Sequence, residues 1–320
     1  MKGLTDIDGI RVGHASDYEG ITGCTVILFE RGAVGGVDIR GSATGTEEIA
    51  TLDPLHAADR MHAIVLAGGS AFGLEAASGV RRYLERQGVG FDVGVTRVPI
   101  VPAAILFDLA IGKHSVRPTR DMGESAAAAA SNGPVAEGCV GAGTGATVGK
   151  MLGMKQAMKG GIGSATVELE GPLAGVKVAA LAAVNPLGDV RDPKSGRILA
   201  GARRAPDSFE FADSRRLMKR GGRGTFAGNT TLVVAATNAQ LTKVEAQKMA
   251  QLAQLGLART IDPIHTMSDG DIVFAVSLGT RQAPVDALGT AAAEAVSVAI
   301  VRAVEQAWTL GGVPGLRKQR

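Results

Sequence analysis

Two rhythms alternate along the chain: short continuous apolar runs, and longer stretches whose apolar positions recur with a helical period. Cys24-Thr-Val-Ile-Leu-Phe29 has the character of a buried strand, and a glycine-punctuated piece at 32–39 predicts another. His62-Ala-Ile-Val-Leu-Ala67 is a third. Gly68-Gly69-Ser70 then turns the chain into a helix over 71–86, with Ser70 as N-cap and Gly88 as its stop. Residues 95–105 read as a strand bent at Pro99 and Pro102, and 124–130 as a helix closed by Asn132-Gly133-Pro134. Residues 163–169 and 176–184 fit a hairpin joined at Gly171-Pro172. A strand opens at Thr230, and the capping-box pair Thr242 and Glu245 starts a helix that runs to 255 and stops at Gly256. Ile272-Val-Phe-Ala-Val-Ser277 is a further strand, and 286–308 a long helix apolar on one face. No apolar run is expected to reach the ~20 residues that span a bilayer.

Composition narrows the class. At 320 residues and 45% hydrophobic content, one large α/β domain or two domains fit. A net charge of +3 implies no polyanionic partner, and 3% aromatics argue against a base-stacking surface, so no nucleic acid is expected. Cys24 and Cys139 lack metal-ligand spacing, so no metal is expected. The polar N-terminus, Met-Lys-Gly-Leu-Thr-Asp, does not resemble a signal peptide, and a cytoplasmic protein without a membrane partner is expected. Residues 189–229 carry Arg191, Lys194, Arg197, Arg203, Arg204, Arg215, Arg216, Lys219, Arg220 and Arg223, the composition of an exposed, solvated loop.

The 45 glycines cluster where chemistry is expected. Strand, Gly68-Gly69-Ser70 and helix N-terminus together make a candidate anion or oxyanion site. Gly141-Ala-Gly-Thr-Gly-Ala-Thr-Val-Gly-Lys150 is not a P-loop, because Thr144 stands where glycine is needed and Met151 where Ser or Thr is needed. It is not a dinucleotide fingerprint either, since the last glycine would fall on Val148 or Ala146. What remains is a flexible loop that delivers Lys150. Asn185, before Pro186 at a strand end, can donate to an oxyanion. In Asp269-Gly270-Asp271, spacing two puts two carboxylates on one face, where like charges raise one pKa or hold an amine. Gly228-Asn229-Thr230-Thr231 runs from a turn straight into a strand. Scission of the Asn229–Thr230 bond by the protein itself would leave a hydroxyl beside its own α-amine, a compact activated nucleophile.

Taken together, Gly228-Asn229-Thr230-Thr231, Asp269-Gly270-Asp271, Asn185-Pro186, the Lys150 loop and Leu66-Ala-Gly-Gly-Ser-Ala-Phe-Gly-Leu-Glu75 resemble the L-aminopeptidase/D-esterase family of self-cleaving hydrolases. That family also holds β-aminopeptidases and nylon-oligomer hydrolases. The resemblance implies an α+β fold, a four-layer α/β/β/α sandwich in a single domain over 1–320. It implies maturation into an α chain 1–229 and a β chain 230–320, within a homo-oligomer, a tetramer. By position, Thr230 matches the nucleophile, Asn185 the oxyanion donor, Asp269 and Asp271 the acidic pair, and Lys150 the lysine of the nylon-oligomer branch. Gly69, Ser70 and Phe72 stand as substrate-binding candidates. The aminopeptidase branch has a tyrosine in this region, and no tyrosine follows Tyr83 here. The resemblance thus implies hydrolysis of amides, peptides or esters of small amino-terminated substrates without a cofactor. Two rivals are an acyltransferase of the related arginine-biosynthesis type and an uncleaved scaffold that binds a small metabolite.

Overall fold

The computed structural model describes residues 2–222, 224 and 228–318. Nine strands join in one mixed sheet: β1 (Arg11–Asp17), β2 (Thr22–Ile39), β3 (Thr46–Glu47), β4 (Met61–Ala67), β5 (Ala103–Ile105), β6 (Gly161–Glu168), β7 (Lys177–Asn185), β8 (Thr230–Ala239) and β9 (Ile272–Arg281). Their order is β6-β7-β8-β9-β2-β4-β5-β3, with β1 on β2. The helices are α1 (Glu75–Arg86), α2 (Arg120–Ala128), α3 (Ser214–Lys219), α4 (Lys243–Thr260) and α5 (Val285–Glu305).

β2 makes one sheet behave as two. Its first half pairs with β4 from Cys24↔Ala67 to Leu28↔Ala63, and its second half pairs with β9 from Val34↔Ser277 to Ile39↔Ile272. The register shifts between Leu28 and Ala33, where Gly32 takes a φ of 74°. The two expected strands are therefore one 18-residue strand bent at a bulge. Alternation of side chains then sorts the layers. Leu232, Val234 and Ala236 of β8 share a core with Ile27, Phe29, Ile64 and Leu66 of the other half-sheet. Val233 and Ala235 face Met249 and Leu257 of α4 and Val296 and Ile300 of α5. On the far side, Val26, Leu28 and Val65 pack on Ala76 and Val80 of α1 and Ala126 of α2. Helices, sheet, sheet, helices: the expected α/β/β/α sandwich is the architecture observed.

Several local expectations are corrected. α4 does begin at the Thr242–Glu245 capping box but passes through Gly256 to Thr260. Gly256 is a packing residue, since a Cβ there would lie 2.5 Å from the Ala293 carbonyl of α5. α5 is itself long and apolar enough to span a membrane, contrary to expectation, yet 67% of its most apolar window is buried inside the protein, as suits an inner helix. Ser70 is not an N-cap. It has a φ of 54° in a 3₁₀ turn, Ser70–Leu74, and α1 begins only at Glu75. α2 starts at Arg120, capped by Thr119 Oγ1, which accepts from Met122 N at 3.3 Å. The segment after Asp189 is more than a solvated loop. Buried Asp189 accepts from Ala202 N at 2.8 Å and from Ser214 N and Oγ at 2.7 and 2.6 Å, which fixes two short strands and α3. Arg223 lies outside the described residues.

Candidate active site

Strand pairing assembles the site. β7 and β8 are antiparallel, and their register sets Asn185 opposite Thr230. β8 and β9 are parallel from Leu232↔Ile272, so the residues before each strand also lie side by side, and Asn229 pairs with Asp269 in a parallel bridge. Three segments distant in sequence thus end at one point at the edge of the sandwich core. Asn185, Asn229, Thr231, Asp269 and Asp271 are fully buried, and Thr230 and Lys150 nearly so.

The intact Asn229–Thr230 bond is held on both sides. Thr230 Oγ1 donates to the Asn229 carbonyl oxygen at 2.5 Å, and that oxygen also accepts from Gly270 N at 2.7 Å. Upstream, Asn229 N and Nδ2 both donate to the Ser268 carbonyl at 3.1 Å. Downstream, Thr231 N donates to Asp271 Oδ1 at 2.7 Å. Gly270 must be glycine, because a Cβ would lie 2.6 Å from the Ala43 carbonyl and 2.7 Å from Thr230 Oγ1. Gly270→Ala is expected to displace both hydroxyl and amide donor and to cost about 1–3 kcal/mol of stability through overpacking. Thermal unfolding of the variant against the wild type would check this.

Lys150 is not the mobile surface charge that its glycine loop suggests. It is 1% exposed, and its Nζ donates to the carbonyls of Thr147 and Asn185 at 2.8 Å each and to Asn185 Oδ1 at 2.9 Å. Burial lowers its pKa to about 7, against the opposing pull of Asp269 and Asp271. Asn185 Oδ1 also accepts from Thr147 N at 2.9 Å, so donors on that side orient the amide, and Nδ2 donates to the Phe107 carbonyl at 3.1 Å.

The two carboxylates are electrostatically coupled but grip different segments. Asp269 Oδ1 accepts from Leu187 N at 3.0 Å, and Oδ2 from the Thr266 hydroxyl. Burial first, then the charge of Asp271, raises its pKa to about 6. Asp271 accepts from Thr231 N and, at Oδ2, from His265 N and Nδ1 at 3.1 and 3.0 Å. With a folded pKa above the unfolded value, Asp269 keeps its proton in the native chain between pH ~4 and ~6, where the unfolded chain has lost it. Its contribution to stability is therefore present below pH ~4 and falls as pH rises toward ~6. Asp269→Asn is expected to flatten that fall in a urea titration run from pH 4 to 7.

The turn at Gly69 and Ser70 does not offer a free anion hole. Gly68 N donates to Gly23 O at 2.9 Å, Gly69 N to Asp108 Oδ1 at 2.7 Å and Ser70 N to Leu106 O at 3.0 Å. Phe72 is 56% exposed, with the Arg117 guanidinium 3.7 Å over its ring. Asp108 joins this turn to the site, since its neighbour Phe107 holds Asn185 and packs against Gly228, where a Cβ would meet the ring at 2.5 Å. Among the described residues, no group of three or more His, Cys, Asp or Glu is placed to hold a metal ion. Sequence reasoning missed Gly270 as a donor to the carbonyl, and His265 as the partner of Asp271. Only the position of His265 in the loop before the acidic pair signalled it.

Comparison with known proteins gives the family and the fold. The chain is 42% identical to an uncharacterized aminopeptidase of Mycobacterium tuberculosis, over 99% of this chain and 97% of that one. It is 33% identical to a 6-aminohexanoate-oligomer endohydrolase of a Kocuria species, over 85% of this chain and 74% of that one. Its fold is similar to that of the L-aminopeptidase D-Ala-esterase/amidase of Ochrobactrum anthropi, described as a new variant among the Ntn hydrolase fold. The TM-score is 0.74 at 20% identity, over 98% of this chain and 88% of that one. The sequence matches peptidase family S58 from residue 2 to residue 318, and the chain belongs to that family.

Proposed function

We propose that this peptidase-family enzyme cuts its own Asn229–Thr230 bond and then uses Thr230 as an N-terminal nucleophile on amide, peptide or ester substrates. The observation that supports this most is the Thr230 hydroxyl 2.5 Å from the carbonyl oxygen of the bond before it, with Gly270 N on the same oxygen at 2.7 Å. In the first step Oγ bonds to the Asn229 carbonyl carbon, the C–N bond breaks, and the hydroxyl proton ends on the leaving Thr230 nitrogen. Negative charge on the oxygen is met by Gly270 N–H. Water then opens the ester, leaving an α chain 1–229 ending in a carboxylate and a β chain 230–320 beginning with a free amine. Before scission the Thr230 nitrogen is an amide and cannot be the base. Lys150, bound to the Asn185 carbonyl and amide opposite Thr230, and Asp269, next to Gly270, are the titratable groups proposed to assist that proton transfer.

In the mature enzyme the α-amine takes the hydroxyl proton, its reference pKa of roughly 7.7–8.0 suiting neutral solution. Asn185 Nδ2 and Gly270 N hold the oxyanion, and the acyl-enzyme on Thr230 is hydrolysed. The uncleaved chain supplies the binding pose: Asn229 occupies the position of the substrate residue that donates the acyl group, and Phe107 flanks the position of Gly228. The buried carboxyl pair of Asp269 and Asp271 suits substrates with a free amine. Small peptides, amino-acid amides and ω-amino-acid oligomers are the class to screen, the last because the Kocuria relative is an oligomer hydrolase. Membership of a peptidase family favours water over an amine as acceptor, against the acyltransferase rival. A homo-oligomer, a tetramer, belongs to the same proposal and is read by sedimentation. The test of the acyl-enzyme is a brief reaction with an activated amino-acid ester, followed by peptide mass spectrometry. An acyl adduct on Thr230 is expected; an adduct elsewhere, or turnover with none, overturns the mechanism.

A further inference from the structure

Scission changes how Thr230 is held. In the intact chain it is tethered upstream by Asn229, itself fixed by Ser268 and Gly270, and downstream by Thr231. Once the bond is cut, the upstream tether is gone. The nucleophile is then a chain end, and its position depends on the β8 ladder and on Thr231 N bound to Asp271 Oδ1 at 2.7 Å. What fixes Asp271 therefore matters more after cleavage than before it.

The backbone of Asp271 is held by Arg40 N and Gly41 N on its carbonyl, but among the described residues its carboxylate is bound, besides Thr231, by one residue. His265 gives its Oδ2 two hydrogen bonds, from the backbone N at 3.1 Å and from Nδ1 at 3.0 Å. A carboxylate only accepts, so Nδ1 is assigned as the protonated nitrogen. His265 makes both bonds with a φ of 56°, in the left-handed region that a residue with a Cβ enters only at a cost. Its side chain is 21% exposed, whereas that of Asp271 is 0%, so the imidazole bridges solvent and the buried carboxylate.

We infer that His265 is a positioning residue for turnover: it locks the Asp271 carboxylate, which holds Thr231 and so aims the free Thr230 at the substrate. The inference rests on Thr230 being the nucleophile. It distinguishes the two reactions, because self-cleavage retains the upstream tether and turnover does not.

The test uses His265→Ala, His265→Gly and His265→Asn in the full chain, with self-cleavage and steady-state turnover of an amino-acid amide measured separately. Asn places its Nδ2 where the imidazole has Nδ1 and tolerates positive φ. Glycine removes the backbone cost but supplies no donor. Loss of one hydrogen bond to a buried charge predicts a roughly 10–100-fold lower kcat for the alanine and glycine variants, with KM within about twofold. Their self-cleavage should slow by less than about threefold, and His265→Asn should recover wild-type kcat to within about threefold. The inference is overturned if the asparagine variant is as slow as alanine, if the glycine variant matches the wild type, or if self-cleavage falls as far as turnover. Failure of the underlying reading looks different: wild-type protein would then show no chain beginning at Thr230.

Discussion

Thr230→Ala is expected to run as one 32.6 kDa chain on a denaturing gel and to turn over no amide substrate, where the wild type gives two fragments of that total mass. Two separate losses are combined in this substitution. Without Oγ nothing attacks the Asn229 carbonyl, so the α-amine that would serve as base is never released. Even a β chain engineered to begin with alanine in place of Thr230 would have the amine without the attacking oxygen. Loss of a nucleophile costs roughly 10⁴-fold or more in kcat, because the remaining donors stabilise a transition state that no longer forms covalently. The fold should survive. Thr230 contributes one methyl and one hydroxyl at a buried point where backbone pairing of β7, β8 and the 268–271 loop holds the chain. Thr230→Ser keeps the oxygen and should retain both cleavage and activity, which separates chemistry from folding. A single band from an active wild type would contradict the scheme, as would two bands from the alanine variant.

Lys150→Met is the second large effect, and it has a stability signature as well as a kinetic one. The Lys150 amine contacts both the Asn185 amide and the Asn185 carbonyl, so its removal takes away one of the donors that orient the amide proposed to hold the oxyanion. Removing one such electrostatic support lowers kcat by roughly 10²–10³-fold. The pH dependence follows from burial. The native pKa is about 7 against an unfolded value near 10.5, so between these limits the unfolded chain binds a proton that the native chain does not. Stability of the wild type therefore rises with pH from about 7 toward 10. Lys159, buried and lowered to about 8, adds a smaller rise of the same sign. Lys150→Met should remove most of this slope and leave the Lys159 part. Urea unfolding at intervals between pH 7 and 10 reads it directly, and an unchanged slope would mean that Lys150 stays charged in the folded chain.

Local signals are legible in the sequence, and tertiary ones are not. β8, the 161–185 hairpin and the Thr242–Glu245 capping box are written in adjacent residues, through β-branched runs and a side chain reaching its own helix terminus. β2 reads as two strands because Gly32 punctuates it, and only pairing with both β4 and β9 shows the bulge within one strand. The Ser70 turn reads as a helix cap, but the amide of Gly69 is drawn to Asp108, 39 residues away. Lys150 reads as solvated because a lone lysine in a glycine loop usually is, and no acceptor for it is visible nearby in the sequence. Its acceptors come partly from Asn185, on another strand. The residues of the site are legible as a set through the family resemblance and their strand-end positions, while their division of labour is not. Asp269 and Asp271 share a spacing of two, yet one binds Leu187 and Thr266 and the other Thr231 and His265. The Gly270 donor could not be inferred from a side chain, since glycine has none.

Everything proposed for the chemistry depends on a break in the backbone at one place. Intact-mass and N-terminal sequence determination on purified wild-type protein tests it most directly. The account predicts a chain that begins Thr-Thr-Leu-Val and a partner that ends at Asn229. Recovery of only the unbroken 320-residue polypeptide, active on amides, would contradict it.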